Sequence, residues 1–347
     1  MEQIINHGNA RMTAEAREAP DVVRRQADTL GRPIQDLVAR LRRAPPRLVV
    51  TCARGSSAHA ALFGKGLIER HLAIPVADAA PSVVSVYRRG LRVDGQVFIA
   101  ISQSGRSDDL VESAVSAKEC GALTIAIVND TGSPLASASD VVLPLAAGEE
   151  SSVAATKTFI ASIAALLRLV ACWSGDTAML AALEDLPHRL SSAAELDWSN
   201  ALDALSQAKS LAILGRGPTL AIAEEASLKL KEVCHIHAEG YSGSEFQHGP
   251  IALVSRDYPV LILMPNDEAR YELSRLAADL CQKSRLVFVT GDAIGDAARL
   301  PALPPEQADA DAICLIQTFY GFAARLADRL GLDADQPRHL QKITRTR

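Results

Sequence analysis

The chain has 347 residues, of which 48% are apolar but only 4% aromatic, and its 36 basic and 41 acidic side chains give a formal net charge of −5. That length accommodates two domains, or two lobes with separate cores, and the wealth of Ala, Leu, Val and Ile suits helices packed on parallel strands better than a β-sandwich. The negative balance and the scatter of basic residues exclude a cationic track for a nucleic-acid backbone, so no nucleic-acid partner is expected.

The first twenty residues carry an early acid and no apolar core of a leader peptide. From 11 to 43, charged and apolar positions alternate at helical spacing, interrupted at Pro20 and Pro33, which predicts two or three helices, with Asp21 a plausible helix start. From "RLVVTCARGSS" onward, β-rich runs alternate with Ala-rich stretches, as a doubly wound parallel sheet requires. Strands are predicted at 47–52, 97–101, 123–128 and 140–145. Residues 153–173, "VAATKTFIASIAALLRLVACW", approach the length of a membrane span, but Lys157 and Arg168 mark the stretch as a buried core helix. No membrane partner is expected, and the protein should be cytoplasmic.

A more polar helical stretch at 176–200 connects to a second cycle. "SLAILGRGPTLAIAEEASLKLKEV" at 210–233 repeats the strand, glycine turn and Ala-rich helix of "RLVVTCARGSSAHAALFGKGLIER" at 47–70, and "YPVLILMP" and "RLVFVTG" stand where "VFIAIS" and "LTIAIV" stood. A period near 160 residues marks two similar α/β lobes rather than a solenoid. The six cysteines lie far apart, with no CxxC pair, and no histidines cluster at zinc-ligand spacing. They read as buried free thiols in a reducing compartment. His235 and His237 stand two apart, which on a helix does not put them on one face; no metal and no cofactor are expected.

The densest polar signal is "ISQSGRSDDL" at 101–110. Ligands of open parallel sheets bind outside the carboxyl ends of the strands, where loops offer N–H groups and helices their positive ends. Ser102, Gln103, Ser104 and Ser107 stand at such a place, with Gly105 allowing close backbone approach, and Ser56 and Ser57 follow the preceding strand. Two such loops converging would hold a phosphate without bulky cations. The competing reading makes these residues turn formers and caps, and Asp108 and Asp109 partners of the helix dipole with no chemical task. "GRGPTL" lacks the third glycine of a dinucleotide fingerprint, and the Walker pattern is absent. On the helix of "EEASLKLKE", Glu225, Lys229 and Glu232 share a face at spacings of four and three; taken alone, a surface ion-pair trio accounts for them.

With "ISQSG", "GSPLASASD", "VAATKTF", "LGRG", "ASLKLKE", "IHAEGY", "HGPIALV" and "DQPRHLQK" matching in order, the chain resembles the sugar isomerase (SIS) family, most closely the isomerase half of glucosamine-6-phosphate synthases. The resemblance implies two doubly wound, flavodoxin-like α/β/α lobes: N-terminal helices over 1–45, a first lobe over 46–175, the connection over 176–200, a second lobe over 201–332 and an active-site tail over 333–347. It implies that Ser57, Ser102, Gln103, Ser104 and Ser107 bind a sugar phosphate, with Ser56 adjoining. It also implies that Glu232 is the proton-transferring base supported by Lys229, that His248 opens the sugar ring from the neighbouring subunit of a homodimer, and that Lys342 reaches the sugar carbonyl. Ala155 departs from the pattern, which has a serine there, and Arg106 stands where the synthases have an acid; both bear on sugar preference.

Free of the glutaminase half, such a chain is expected to deaminate glucosamine 6-phosphate to fructose 6-phosphate and ammonia. The alternatives are deamination or isomerisation of another phosphosugar, such as galactosamine 6-phosphate or a fructosamine phosphate, ammonia-dependent synthesis, and non-catalytic phosphosugar sensing. The expected partner throughout is a phosphorylated amino sugar or ketose.

Overall fold

The computed structural model describes residues 11–342. Both ends of the expected N-terminal and tail segments, 1–10 and 343–347, lie outside the described residues. The chain divides into two compact units. Of the described residues, one unit, here the first-sheet unit, holds Ala19–Glu150, Lys157–Pro187 and Gln341–Lys342; the other, the second-sheet unit, holds Arg11–Glu18, Ser151–Thr156 and His188–Leu340.

The apolar runs form the centre of each sheet. In the first-sheet unit, β1 (Val49–Cys52), β2 (Val76–Asp78), β3 (Val97–Ser102), β4 (Leu123–Val128) and β5 (Val141–Pro144) pair in parallel in the order β2-β1-β3-β4-β5. Every residue of β3 is buried, because helices cover both faces of a parallel sheet and leave no side for polar alternation. The order reverses direction between β1 and β3, so the loops that follow Cys52 and Ser102 flank the crevice where such sheets take ligands. Helices Ser56–Leu72 and Asp108–Glu119 begin at that edge. The helix Lys157–Ser174 is long and apolar enough to cross a membrane by composition, but nearly all of it is buried in this unit, against helices Ala19–Arg43 and Ser56–Leu72. Lys157 itself is 1% exposed.

In the second-sheet unit, β6 (Ser210–Gly215), β7 (His237–Ser242), β8 (Val260–Ile262), β9 (Val287–Thr290) and β10 (Ala298–Leu300) pair in parallel in the order β10-β9-β8-β6-β7. Numbered from its own first strand, this is the same 2-1-3-4-5 order as the first sheet. Helix Leu220–Cys234 joins β6 to the edge strand β7, and helix Ala308–Arg329 packs on it. Trp198, Phe319 and Phe322 cluster in this unit, and the Trp198 indole donates to the Pro301 carbonyl at 2.7 Å.

One local expectation needs correction. Pro33 does not interrupt a helix: it lies inside the 25-residue helix Ala19–Arg43, which starts before Asp21 and carries Pro20 in its first turn, where a missing N–H costs nothing. His235 and His237 stand just beyond the end of helix Leu220–Cys234, His235 as its left-handed cap and His237 as the first residue of β7.

Candidate active site

The loop after β3 is folded by its own side chains. Ser102, 6% exposed, accepts the Gly105 N–H at 3.1 Å, and Ser104 accepts the Arg106 N–H at 3.3 Å. The Gln103 carbonyl accepts the Asn129 N–H at 3.2 Å, and the Gly105 carbonyl accepts the Leu135 N–H at 3.1 Å, which docks the loop on the "GSPLA" turn. Gly105 has φ +61°, and a Cβ there would lie 2.1 Å from the Ser133 hydroxyl, so no other residue fits without displacing the turn. Ser102 and Ser104 therefore do act as turn formers, as the competing reading has it. Ser107 does not: it occupies the N-cap of helix Asp108–Glu119 without a side-chain capping bond. The hydroxyls of Ser57 and Ser107 and the Gln103 amide make no side-chain hydrogen bond among the described residues.

The loop before helix Ser56–Leu72 is fixed to this one by an ion pair. Arg54 donates from Nε and Nη2 to a single oxygen of Asp109, at 2.8 and 2.5 Å, and Asp109 is fully buried. The dipole role expected for Asp109 is thus insufficient, since a carboxylate with no exposure needs this counter-charge. Arg106 reaches Asp130 at 2.7 Å, and its guanidinium, with the Gly132 N–H, holds the Asp130 carboxyl below the usual range. Burial pushes the Cys52, Cys234 and Cys314 thiols up to about 12. Cys120, Cys172 and Cys281 are only half-buried, so burial of all six cysteines does not hold.

Lys342 also belongs to the first-sheet unit. Its ammonium donates to Glu150 Oε2 at 3.0 Å, and the Glu150 side chain is 0% exposed. Glu150 further accepts the Thr158 hydroxyl at 2.6 Å and the Thr158 N–H at 3.2 Å. The tail lysine is therefore held by a buried carboxylate, a partner the sequence spacing does not announce. Ala155 lies in Ser151–Thr156, a segment grouped with the second sheet and tied there by the Glu15 carboxylate, which accepts the Ser152 N–H at 3.1 Å.

On helix Leu220–Cys234 the surface ion-pair account fails. Glu225 is 0% exposed and Lys229 1%, whereas the Glu232 side chain keeps 20% exposure. The Lys229 ammonium lies 3.5 Å from Glu225 Oε1 and donates to Glu232, and the buried Tyr320 hydroxyl lies 3.4 Å from Glu225. A buried lysine between two carboxylates, one sealed and one open, fixes the open one in place. His248 is exposed at the end of helix Gly243–Gln247, and no hydrogen bond or ion pair joins it to Glu232 or Lys229 among the described residues. His237 pairs instead with Glu239, at 3.6 Å.

The sequence profile of the SIS domain matches residues 42–171 and 204–290, which carry both sheets apart from the last strand of the second. The chain belongs to the SIS domain family. It is 36% identical over 307 residues to the glutamine–fructose-6-phosphate aminotransferase (isomerizing) of Aquifex aeolicus, a match covering 85% of this chain and 51% of that protein. The chain thus spans about half the length of the curated relatives it matches. Among solved structures it is similar to a Silicibacter pomeroyi protein assigned as a phosphosugar isomerase, with 39% identity, a TM-score of 0.89 and coverage of 94% of this chain and 100% of that one. The glucosamine-6-phosphate deaminase of Thermotoga maritima shares the fold, with a TM-score of 0.70 and 21% identity over 95% of this chain and 100% of that one.

Proposed function

We propose that this SIS-family chain is a phosphosugar isomerase that acts on an amino sugar phosphate, converting glucosamine 6-phosphate and water to fructose 6-phosphate and ammonia. The observation that carries the reading is the Glu225–Lys229–Glu232 array, a buried cation holding one half-open carboxylate. In this reading the phosphate is gripped by Ser57, Ser102, Gln103, Ser104 and Ser107, with Ser56 adjoining, and supplies binding energy remote from the reacting carbons. His248, whose exposed position is one a site shared between two copies requires, assists ring opening. Glu232 takes the proton from C2 and returns it at C1, with Lys229 steadying its charge. The resulting ketimine adds water at C2 and expels ammonia, leaving the ketose phosphate. Lys342 is assigned to the sugar carbonyl; a Schiff base through it requires the amine to be neutral and to leave Glu150.

Water is present at every turnover, whereas free ammonia is mostly protonated near neutral pH, so release of ammonia is the direction assigned. Ala155 and Arg106 bear on the choice of sugar: galactosamine 6-phosphate would follow the same steps, whereas a fructosamine phosphate would give up a C1 proton, gain one at C2 and leave as an aldose phosphate once the C1 aldimine is hydrolysed. The test is incubation of the purified chain with each amino sugar phosphate while ammonia and ketose phosphate are measured together. Equal release of both from glucosamine 6-phosphate is expected; ketose without ammonia, or neither product from any of the sugars, contradicts the assignment.

A further inference from the structure

We propose that Arg54 is a phosphate-binding residue of the first-sheet crevice, aimed by the buried Asp109. The inference rests on reading that crevice as the phosphate site, and it adds the cation that a set of neutral hydroxyls and amides lacks. Arg54 directly precedes Gly55 at the carboxyl end of β1, and Asp109 sits in the first turn of the helix that follows the β3 loop, 55 positions away. The pair therefore spans the two loops at the point where the strand order reverses.

Nε and Nη2 both go to Asp109 Oδ2, so Nη1 has no partner among the described residues, and the side chain keeps 47% exposure. A guanidinium tied on one edge and open on the other presents its remaining N–H groups in a fixed direction, the geometry that suits a tetrahedral oxyanion. Of the uncommitted donors, Gln103 and Ser107 lie on the loop after β3, and Ser57 lies in the first turn of the helix that follows Arg54. Asp109 matters a second way. Without Arg54 its buried negative charge would face the same crevice and repel a phosphate dianion. Asp109 is thus the positioning residue and Arg54 the contact.

Inorganic phosphate, titrated by calorimetry, reads the site without requiring turnover. Arg54→Ala should weaken phosphate binding by about ten- to a hundredfold and raise KM for glucosamine 6-phosphate similarly, with kcat falling several-fold less. Because that variant strands a buried carboxylate, the double variant Arg54→Ala/Asp109→Asn is the control: it should recover thermal stability but not phosphate affinity. Arg54→Lys should recover part of the affinity. A double variant that binds phosphate as the parent does would overturn the proposal, since Arg54 would then only neutralise Asp109. A parent chain that binds phosphate but turns over no amino sugar sinks the deaminase reading alone; one that binds no phosphate overturns the crevice reading and this proposal with it.

Discussion

The two sheets have the same strand order and therefore two equivalent crevices, yet their loops differ in kind. The first offers Ser57, Gln103 and Ser107 as uncommitted donors and a guanidinium at Arg54. In the second, the corresponding loops read Arg216-Gly217-Pro218-Thr219 and Met264-Pro265-Asn266-Asp267. Both prolines lack an N–H. The Thr219 hydroxyl is consumed, donating to the Leu263 carbonyl at 2.8 Å and accepting the Arg216 N–H at 3.1 Å. Asp267 crowds Gly217, whose φ is +56°: a Cβ there would lie 3.1 Å from its carboxylate. Topology places a crevice at each reversal of strand order; the second also has a guanidinium, Arg216, but it is paired with Glu272 at 2.8 Å, and under the proposed function the first is the one that takes the phosphate. The second sheet contributes differently, by burying ionic groups on the helix that follows its first strand.

The comparison breaks most readily at that helix. Lys229→Met removes the cation between two carboxylates and leaves Glu225 buried with its charge, so unfolding should come about 3–5 kcal/mol sooner by chemical denaturation. Adding Glu225→Gln should restore part of the loss, and an unchanged midpoint in the single variant would contradict the buried-pair account. Ser57→Ala and Ser107→Ala each remove a hydrogen bond to a charged ligand, about 1.5–3 kcal/mol, read as a rise of roughly ten- to a hundredfold in KM for the sugar phosphate. Asp267→Asn, in the other crevice, should leave phosphate affinity where it was; a gain or loss there would show that the second crevice takes part. Ala155→Ser should change the ratio of kcat/KM between glucosamine and galactosamine 6-phosphates by less than about tenfold, roughly the worth of one neutral hydrogen bond.

Much of the fold is legible in the sequence, and what is not has a common cause. The central strands declare themselves as apolar runs, since a strand covered on both faces has no polar side. Strands β2, β7 and β10 escaped because they are short edge strands: Val76–Asp78 and Ala298–Leu300 span only three residues, and His237–Ser242 has a single buried position, Ala238. At the site, the serine loop and the Glu232–Lys229 spacing are local patterns that sequence displays directly. Arg54 with Asp109, and Lys342 with Glu150, are not. Their partners lie 55 and 192 positions apart and meet only through the fold. The sequence also cannot say which charges are sealed: the spacing of Glu225 and Lys229 is the same on a wet face as on a buried one, and only the packing of helix Ala308–Arg329, with Tyr320 beside Glu225, removes the water.

In the proposed reaction Glu232 serves chemistry and the first-sheet loops serve binding. Glu232→Gln tests it in one preparation, with phosphosugar affinity measured by calorimetry and turnover by paired ammonia and ketose release. The account predicts affinity within a few-fold of the parent and turnover lower by about 10²–10⁴-fold. Near-parental turnover, or affinity lost together with activity, would contradict it.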